Sequence, residues 1–380
     1  MFLPHGPYNP AMPSEQETIL VVETGRLGDL VMATPALETL RRGAPDARIV
    51  VAGGWPLAIL DHHPCVDGLV CVAHPNPRWL RLWLERRRWG RWLAGCRCRA
   101  VLICHGYDHR VWQWAARRAG VPHVFSDRLS SPAGVHHSDR LHHLALQMVG
   151  GRQATAGLPS QGDGPTPPVR LVVTDEECDV MRRRLAADGR DETRRLVAVH
   201  VGTHRLGRRN EMSRKMWPPE CWKELLPDLV RTWNVQVLFT GTAGEAAVVN
   251  DVAAVLPTVA AINWCGRTGV RDLAAAIALC DLVITPDTGP MHVAAALDVP
   301  LVALFSVTSQ AHIGPRGAGA RHTIVTSLAD CRPCSPKVQR RCRKSLCTDD
   351  ITPRRVCEAA DAWLAAARHG ESATGGRPRG

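Results

Sequence analysis

A short β-branched apolar run, then a loop carrying glycine, then residues at helical spacing: this unit constrains the chain more than any other feature. It appears first as Thr18–Val22, the loop Glu23–Asp29 and a helical pattern over Leu30–Arg42. The rhythm continues with strands at Arg48–Ala52, Ala100–Cys104 and Val121–Phe125 and a helix at Val111–Ala119. It restarts with strands at Leu196–His200, Val235–Thr240, Asp281–Thr285 and Leu301–Phe305. Between and after them fall helices at Pro219–Trp233, Ala243–Val255, Val270–Leu279 and Met291–Leu297. Strands alternating with helices predict α/β domains built on parallel sheets.

Between Gly150 and Pro168 the chain reads GGRQATAGLPSQGDGPTPP, too rich in glycine and proline for a regular element. The 380 residues also exceed the roughly 100–200 expected of one domain. The expected organisation is a flexible tail over 1–16, a Rossmann-like domain over 17–155 and a linker over 156–168. A second Rossmann-like domain follows over 169–350, then a helix over 351–368 and a tail over 369–380. Two doubly wound sheets joined in this way are expected to face a cleft, with ligands outside the carboxyl ends of their strands.

Composition narrows the function classes. Lys and Arg outnumber Asp and Glu by 47 to 36, a net charge of +11 that suits a phosphorylated small molecule, an anionic lipid surface or nucleic acid. No run approaches the ~18 apolar residues of a membrane span, and the first 17 residues lack the pattern of a secretory signal. The expected location is the cytoplasm. Most of the fourteen cysteines are scattered singly, which is not the layout of a disulfide framework.

Four strand-end segments carry candidate chemistry. In Glu23-Thr-Gly-Arg-Leu-Gly-Asp29, glycines allow close backbone approach, and spacing leaves Asp29 either as a helix cap or as a general base. In Asp281–His292, Asp287, Thr288 and Gly289 form a tight loop ahead of a helix containing His292. That loop is a cradle for a diphosphate and its sugar, although Asp287 or Thr288 as a simple cap competes. Gly202 and Thr203 follow the Leu196–His200 strand and precede a basic segment ending at Lys215, whose cations suit phosphate. Glu245 stands at the start of a helix, placed either to accept ribose hydroxyls or to complement the helix dipole.

Together these segments resemble bacterial heptosyltransferases, glycosyltransferase family 9, with the two-domain GT-B architecture. The likeness runs from about Ile19 to Trp363 and is most specific in DLVITPDTGPMHVAAALDVPLVALFS, Asp281–Ser306. Leu27-Gly-Asp29 with Pro35-Ala-Leu37, and Lys215-x-Trp217-Pro218, agree in order. The resemblance implies an acceptor-binding first domain and a second domain that binds a nucleotide sugar, commonly ADP-heptose. By it, Asp29 is the base that activates an acceptor hydroxyl, and Lys215 steadies the departing diphosphate. Glu245 contacts ribose, Asp287 lies near the sugar hydroxyls, Thr288 and Gly289 form the phosphate loop, and His292 is a polar neighbour. No cofactor is required for catalysis on this reading, and the partners are a nucleotide-sugar donor and a saccharide or glycolipid acceptor, with no nucleic acid.

The chain also departs from the pattern. An insertion over His204–Arg214 lengthens the loop before Lys215 and makes Arg214 a rival cation, while LICHGYDH over 102–109 replaces an acidic strand end. Residues 77–99 hold eight arginines and four tryptophans, read either as a surface for the anionic inner membrane or as an ordinary basic helix. Cys331, Cys334, Cys342 and Cys347 are the only cysteines spaced like a metal site, structural zinc or another metal. Rival functions are a nucleotide-sugar epimerase on the same architecture and a sugar-nucleotide or membrane-binding protein without catalysis.

Overall fold

The computed structural model describes residues 16–72, 79–105, 109–127, 134–150, 164–202, 215–334, 342 and 346–370. Thr203 and the insertion 204–214 lie outside the described residues. Contacts divide the chain into two units, residues up to Val172 together with Ala311–Ala318, and Val173–Gln310 together with Gly319 onward.

In the first unit β1 (Thr18–Glu23), β2 (Arg48–Gly53), β3 (Gly68–Cys71), β4 (Cys98–His105) and β5 (His123–Ser126) form one sheet in the order β3-β2-β1-β4-β5. Every pairing is parallel, with Val21 opposite Val51 and Leu102. A parallel sheet needs both faces covered, which is why β1 reads as an unbroken apolar run rather than an alternating one. Leu20, Val22, Val50, Val101 and Ile103 pack with Trp89, Leu93 and Trp112 on one side.

The helical stretch expected over Leu30–Arg42 is two helices, α1 (Leu27–Met32) and α2 (Thr34–Gly43). Pro35 has no N–H for a continuing helix and is tolerated only in a first turn, so the chain breaks at Ala33 and restarts. The same correction moves the helix start to Leu27, which places Asp29 inside the first turn instead of at the cap. Residues Trp79–Gly95 form α3, and its Trp89 is buried with its ring centroid 4.9 Å from that of Trp112 on α4 (His109–Arg118). Trp89 and Leu93 are thus committed to the core and unavailable to a lipid surface.

Helix α5 (His137–Val149) closes the unit and was not anticipated; its polar start masks a buried face. His142 Nδ1 lies 2.7 Å from Thr39 Oγ1 of α2. Residues 311–318 were expected in the second domain but pack with this unit. Arg316 Nη2 donates to Asp139 of α5 at 2.9 Å, and His136 Nε2 lies 3.0 Å from the Gly314 carbonyl oxygen.

The second unit holds β6 (Arg195–His200), β7 (Val235–Thr240), β8 (Ala261–Asn263), β9 (Leu282–Pro286), β10 (Leu301–Phe305) and β11 (His322–Thr326), ordered β11-β10-β9-β6-β7-β8. All pairings are again parallel. The covering helices are α6 (Asp175–Ala187), α7 (Pro219–Trp233), α8 (Ala246–Ala253), α9 (Val270–Ala278), α10 (Gly289–Ala296) and a C-terminal helix, Pro353–Gly370. The helix expected over Ala243–Val255 opens as a tighter turn at Ala243–Glu245 before α8 begins.

Trp217 locks this unit together. It is buried, meets Trp222 of α7 edge-on at 4.9 Å, and donates its indole N–H to the Ile351 carbonyl oxygen at 2.7 Å. Trp217→Ala is expected to lower the stability of this unit by about 3–5 kcal/mol. Trp217→Phe, which keeps most of the packing and loses the hydrogen bond, is expected to cost about 1 kcal/mol beyond its smaller volume. Denaturant midpoints of the two variants would check both values.

Candidate functional site

In each sheet the strand order reverses once, between β1 and β4 in the first unit and between β6 and β9 in the second. Loops on either side of such a point turn to opposite faces and leave a crevice at the carboxyl ends of the strands.

At the second unit's crevice, β9 delivers Asp287 and β6 delivers His200, Val201 and Gly202. Asp287 is buried and accepts from Lys215 Nζ at 2.5 Å and from Thr308 Oγ1 at 2.7 Å. Neither Asp287 nor Thr288 caps α10. Thr288 occupies the cap position without a side-chain cap, and its hydroxyl instead lies 2.9 Å from Thr285 Oγ1 and donates to the Pro286 carbonyl oxygen at 3.2 Å. The capping explanation of this loop is therefore corrected: the Asp287 carboxylate orients a cation. A buried carboxylate is tolerated because the ammonium and hydroxyl replace the water it has lost. Lys215 lies two positions before the anchored Trp217. Gly289 opens α10, and His292 is buried one turn along it.

Thr308 was not singled out from the sequence. It is itself braced from the cysteine-rich segment, since Arg332 Nη2 donates to its carbonyl oxygen at 2.8 Å and the Cys334 N–H donates to Val307 at 2.9 Å. Cys331 is exposed, Cys334 and Cys342 are half-buried and Cys347 is buried. Among the described residues no group of three or more His, Cys, Asp or Glu side chains gathers in a way that could hold a metal ion. In this structure the segment's legible contribution is the support of the loop bearing Thr308.

Glu245 closes the turn that leads into its helix. Its Oε2 accepts from the Thr242 N–H at 2.7 Å and from Thr242 Oγ1 at 2.8 Å, closing the turn before α8. Its Oε1 is buried without a hydrogen-bond partner among the described residues, 4.0 Å from His200 Nε2. Burial pushes the His200 imidazole below its ordinary range, against the opposing effect of the Glu245 charge, and its Nδ1 lies 3.3 Å from Thr240 Oγ1. Gly202 is required here for space, because a Cβ on it would overlap the Glu245 carboxylate.

At the first unit's crevice, Asp29 is half-buried and its Oδ2 accepts the Arg26 N–H at 2.8 Å. The cap function is thus performed from the third helical position, which leaves the other carboxylate oxygen outside that bond. Glu23, which the sequence placed in the loop, is the last residue of β1 and fully buried beside it. Asp127, directly after β5, is paired with Arg140 of α5, and His137 Nδ1 lies 3.8 Å from the same carboxylate oxygen. Sequence reading missed Glu23, Asp127 and Arg140. The first had a signal in its position at a strand end two residues before a glycine; the other two meet only through the fold.

Two such parallel-sheet units in one chain, each with polar side chains at its switch point, have the GT-B architecture of nucleotide-sugar glycosyltransferases. The model of glycosyltransferase family 9 (heptosyltransferase) matches residues 103–347, and the chain belongs to that family and is a glycosyltransferase. It is 28% identical over 378 residues to lipopolysaccharide heptosyltransferase 1 of Pseudomonas aeruginosa, covering 92% of this chain and 98% of that one. Over 155 residues it is 34% identical to lipopolysaccharide heptosyltransferase 2 of Escherichia coli, 40% of this chain and 43% of that one. Among solved structures, the ADP-heptose lps heptosyltransferase II of E. coli aligns with a TM-score of 0.72 at 24% identity, covering 92% of this chain and 99% of that one. A family 9 glycosyl transferase from Veillonella parvula aligns with a TM-score of 0.74 at 21% identity, covering 92% and 98%.

The tight contact at Gly202 gives a direct check. Gly202→Ala must displace the Glu245 side chain and is expected to destabilise the second unit by about 1–3 kcal/mol. Glu245→Ala on top of it should recover much of that loss, a coupling that thermal unfolding of the double mutant would reveal.

Proposed function

We propose that the chain is an inverting heptosyltransferase that takes its sugar from ADP-heptose and transfers it to a saccharide or glycolipid acceptor of lipopolysaccharide core synthesis. The observation that carries this reading is the Lys215–Asp287 pair at the switch point of the second sheet, next to Thr288 and Gly289, in a chain of this family. Lys215 is the cation that meets the negative charge developing on the departing diphosphate, and Asp287 with Thr308 fixes its position. A preoriented cation gains over a mobile one because no reorganisation is needed as charge builds. Glu245, whose buried Oε1 beside Gly202 has no hydrogen-bond partner among the described residues, supplies an acceptor for ribose hydroxyls.

Asp29 is the general base. The acceptor hydroxyl oxygen forms a bond to the anomeric carbon, the bond from that carbon to the diphosphate oxygen breaks, and the hydroxyl proton passes to Asp29. Attack opposite the leaving group inverts the anomeric configuration. The work is done at the cytoplasmic face of the inner membrane on this reading. Support for peripheral contact there comes from the net charge of +11 and from the exposed Arg87, Arg88 and Arg91 on α3.

Asp29→Asn is expected to lower turnover by about 10²–10⁴-fold while leaving donor affinity within a few fold, because the base acts on the acceptor. Lys215→Ala is expected to weaken both donor binding and turnover. Calorimetry against a panel of nucleotide sugars, paired with a transfer assay, tests both variants and the identity of the donor. An Asp29→Asn protein that loses donor binding as severely as turnover would remove Asp29 from the base role. For the membrane, vesicles containing anionic lipid should retain the protein at low salt and release it as salt screens the charge. Equal retention by neutral vesicles would count against charge-based contact.

A further inference from the structure

Glu23 has no part in the roles set out above, yet its surroundings are unusual. It ends β1, a central strand next to the first sheet's switch point, and its side chain is fully buried. Oε1 accepts the Gly25 N–H at 2.7 Å, while Oε2 is buried with no hydrogen-bond partner among the described residues. A Cβ built on Gly25 would lie 2.5 Å from Asp29 Oδ2 and 2.7 Å from Glu23 Oε1, so the two carboxyl groups converge on the same space beside that glycine. The loop between them is held at both N–H groups, Gly25 by Glu23 and Arg26 by Asp29.

Two carboxyl groups so placed cannot both be charged without a large cost, and the one in the drier place keeps the proton. Glu23 is in the drier place, while Asp29 reaches solvent. We propose that Glu23 is a neutral acid that acts as a positioning residue for the base Asp29, fixing the Gly25–Asp29 loop without adding a second negative charge beside it. The inference rests on the assignment of Asp29 as base. No proton of the reaction passes through Glu23.

The other charged and titratable groups facing Glu23 agree. Burial foremost, then the charge of Asp29 and more weakly that of Asp127, pushes the Glu23 carboxyl well above the usual carboxylate range, against the opposing Gly25 hydrogen bond. Cys104 on β4 is buried in the same place, and burial foremost, then the charge of Asp127, pushes its thiol upward, so it adds no charge. Among the described residues Arg140 is paired with Asp127, and Arg26, in the same loop, is exposed. Because the folded-state proton affinity of Glu23 exceeds the unfolded one, its contribution favours folding less as pH rises from the ordinary carboxylate range toward its folded value.

The test is Glu23→Gln, which keeps the shape and the acceptor for Gly25 and cannot ionise. Turnover at neutral pH is expected to stay within about threefold of the parent, with donor KM unchanged. The parent is expected to show an alkaline fall from loss of the Glu23 proton, about tenfold per pH unit, and the variant is expected to lack that step. Glu23→Ala, which leaves the Gly25 N–H without its acceptor, is expected to lower kcat by about tenfold without altering donor KM. Infrared difference spectra should show a protonated-carboxyl band in the parent at neutral pH that Glu23→Gln removes, a readout independent of catalysis. A Glu23→Gln protein that fails to fold, loses turnover at neutral pH or keeps the parent's alkaline fall would overturn the inference, as would absence of the band. Asp29→Asn in the same assay separates the two claims, since retained turnover there defeats the base assignment and leaves the protonation state of Glu23 to be read from the infrared band.

Discussion

Both sheets are wholly parallel and covered by helices on their faces, and that single constraint governs where chemistry can occur. A strand such as β1 or β6, buried along almost its whole length, offers a ligand nothing but its end. The carboxyl ends have loops that lead into helices, and where the strand order reverses those loops part. Glu23 and Asp29 in one unit, and Gly202, Asp287 and Lys215 in the other, are gathered by this geometry.

Electrostatics then distinguishes the two ends. In the second unit a buried carboxylate is offset by an ammonium and a hydroxyl, and Asp287 lends order to Lys215. In the first unit two carboxyl groups lie near one glycine, and the more buried one, Glu23, has an oxygen with no hydrogen-bond partner among the described residues. The same residue types thus give different arrangements, a cation held by a carboxylate in one unit and two carboxyl groups beside one glycine in the other. The difference follows from which partners the fold brings within reach. The cysteine-rich segment participates through backbone and guanidinium contacts, with Arg332 and Cys334 supporting the loop that carries Thr308.

Much of this was legible without coordinates. The strand-loop-helix rhythm determined the α/β class and two units, because apolar strand runs, turn glycines and helical spacing act locally. Motif order was enough to select Asp29, Lys215, Glu245 and Asp287 as residues of interest. Pro35 also carried its message locally, although the reading ran one helix through it; a proline in the first turn restarts a helix instead of continuing it.

Tertiary structure decided which atoms meet. That Asp287 holds Lys215 and Thr308, residues 72 and 21 positions away, cannot be read from spacing, because hydrogen bonds over such separations depend on the order of strands in the sheet. The burial of Trp89 on α3 likewise follows from the contact with Trp112 on a neighbouring helix, since a helix without a clean apolar stripe does not announce which face turns inward. Glu23 illustrates the division most clearly. Its sequence position showed a carboxylate near a glycine loop, whereas its dryness, its proximity to Asp29 and its unpartnered oxygen come only from packing, because the local dielectric and the neighbours that set a proton's preference are assembled by the whole unit.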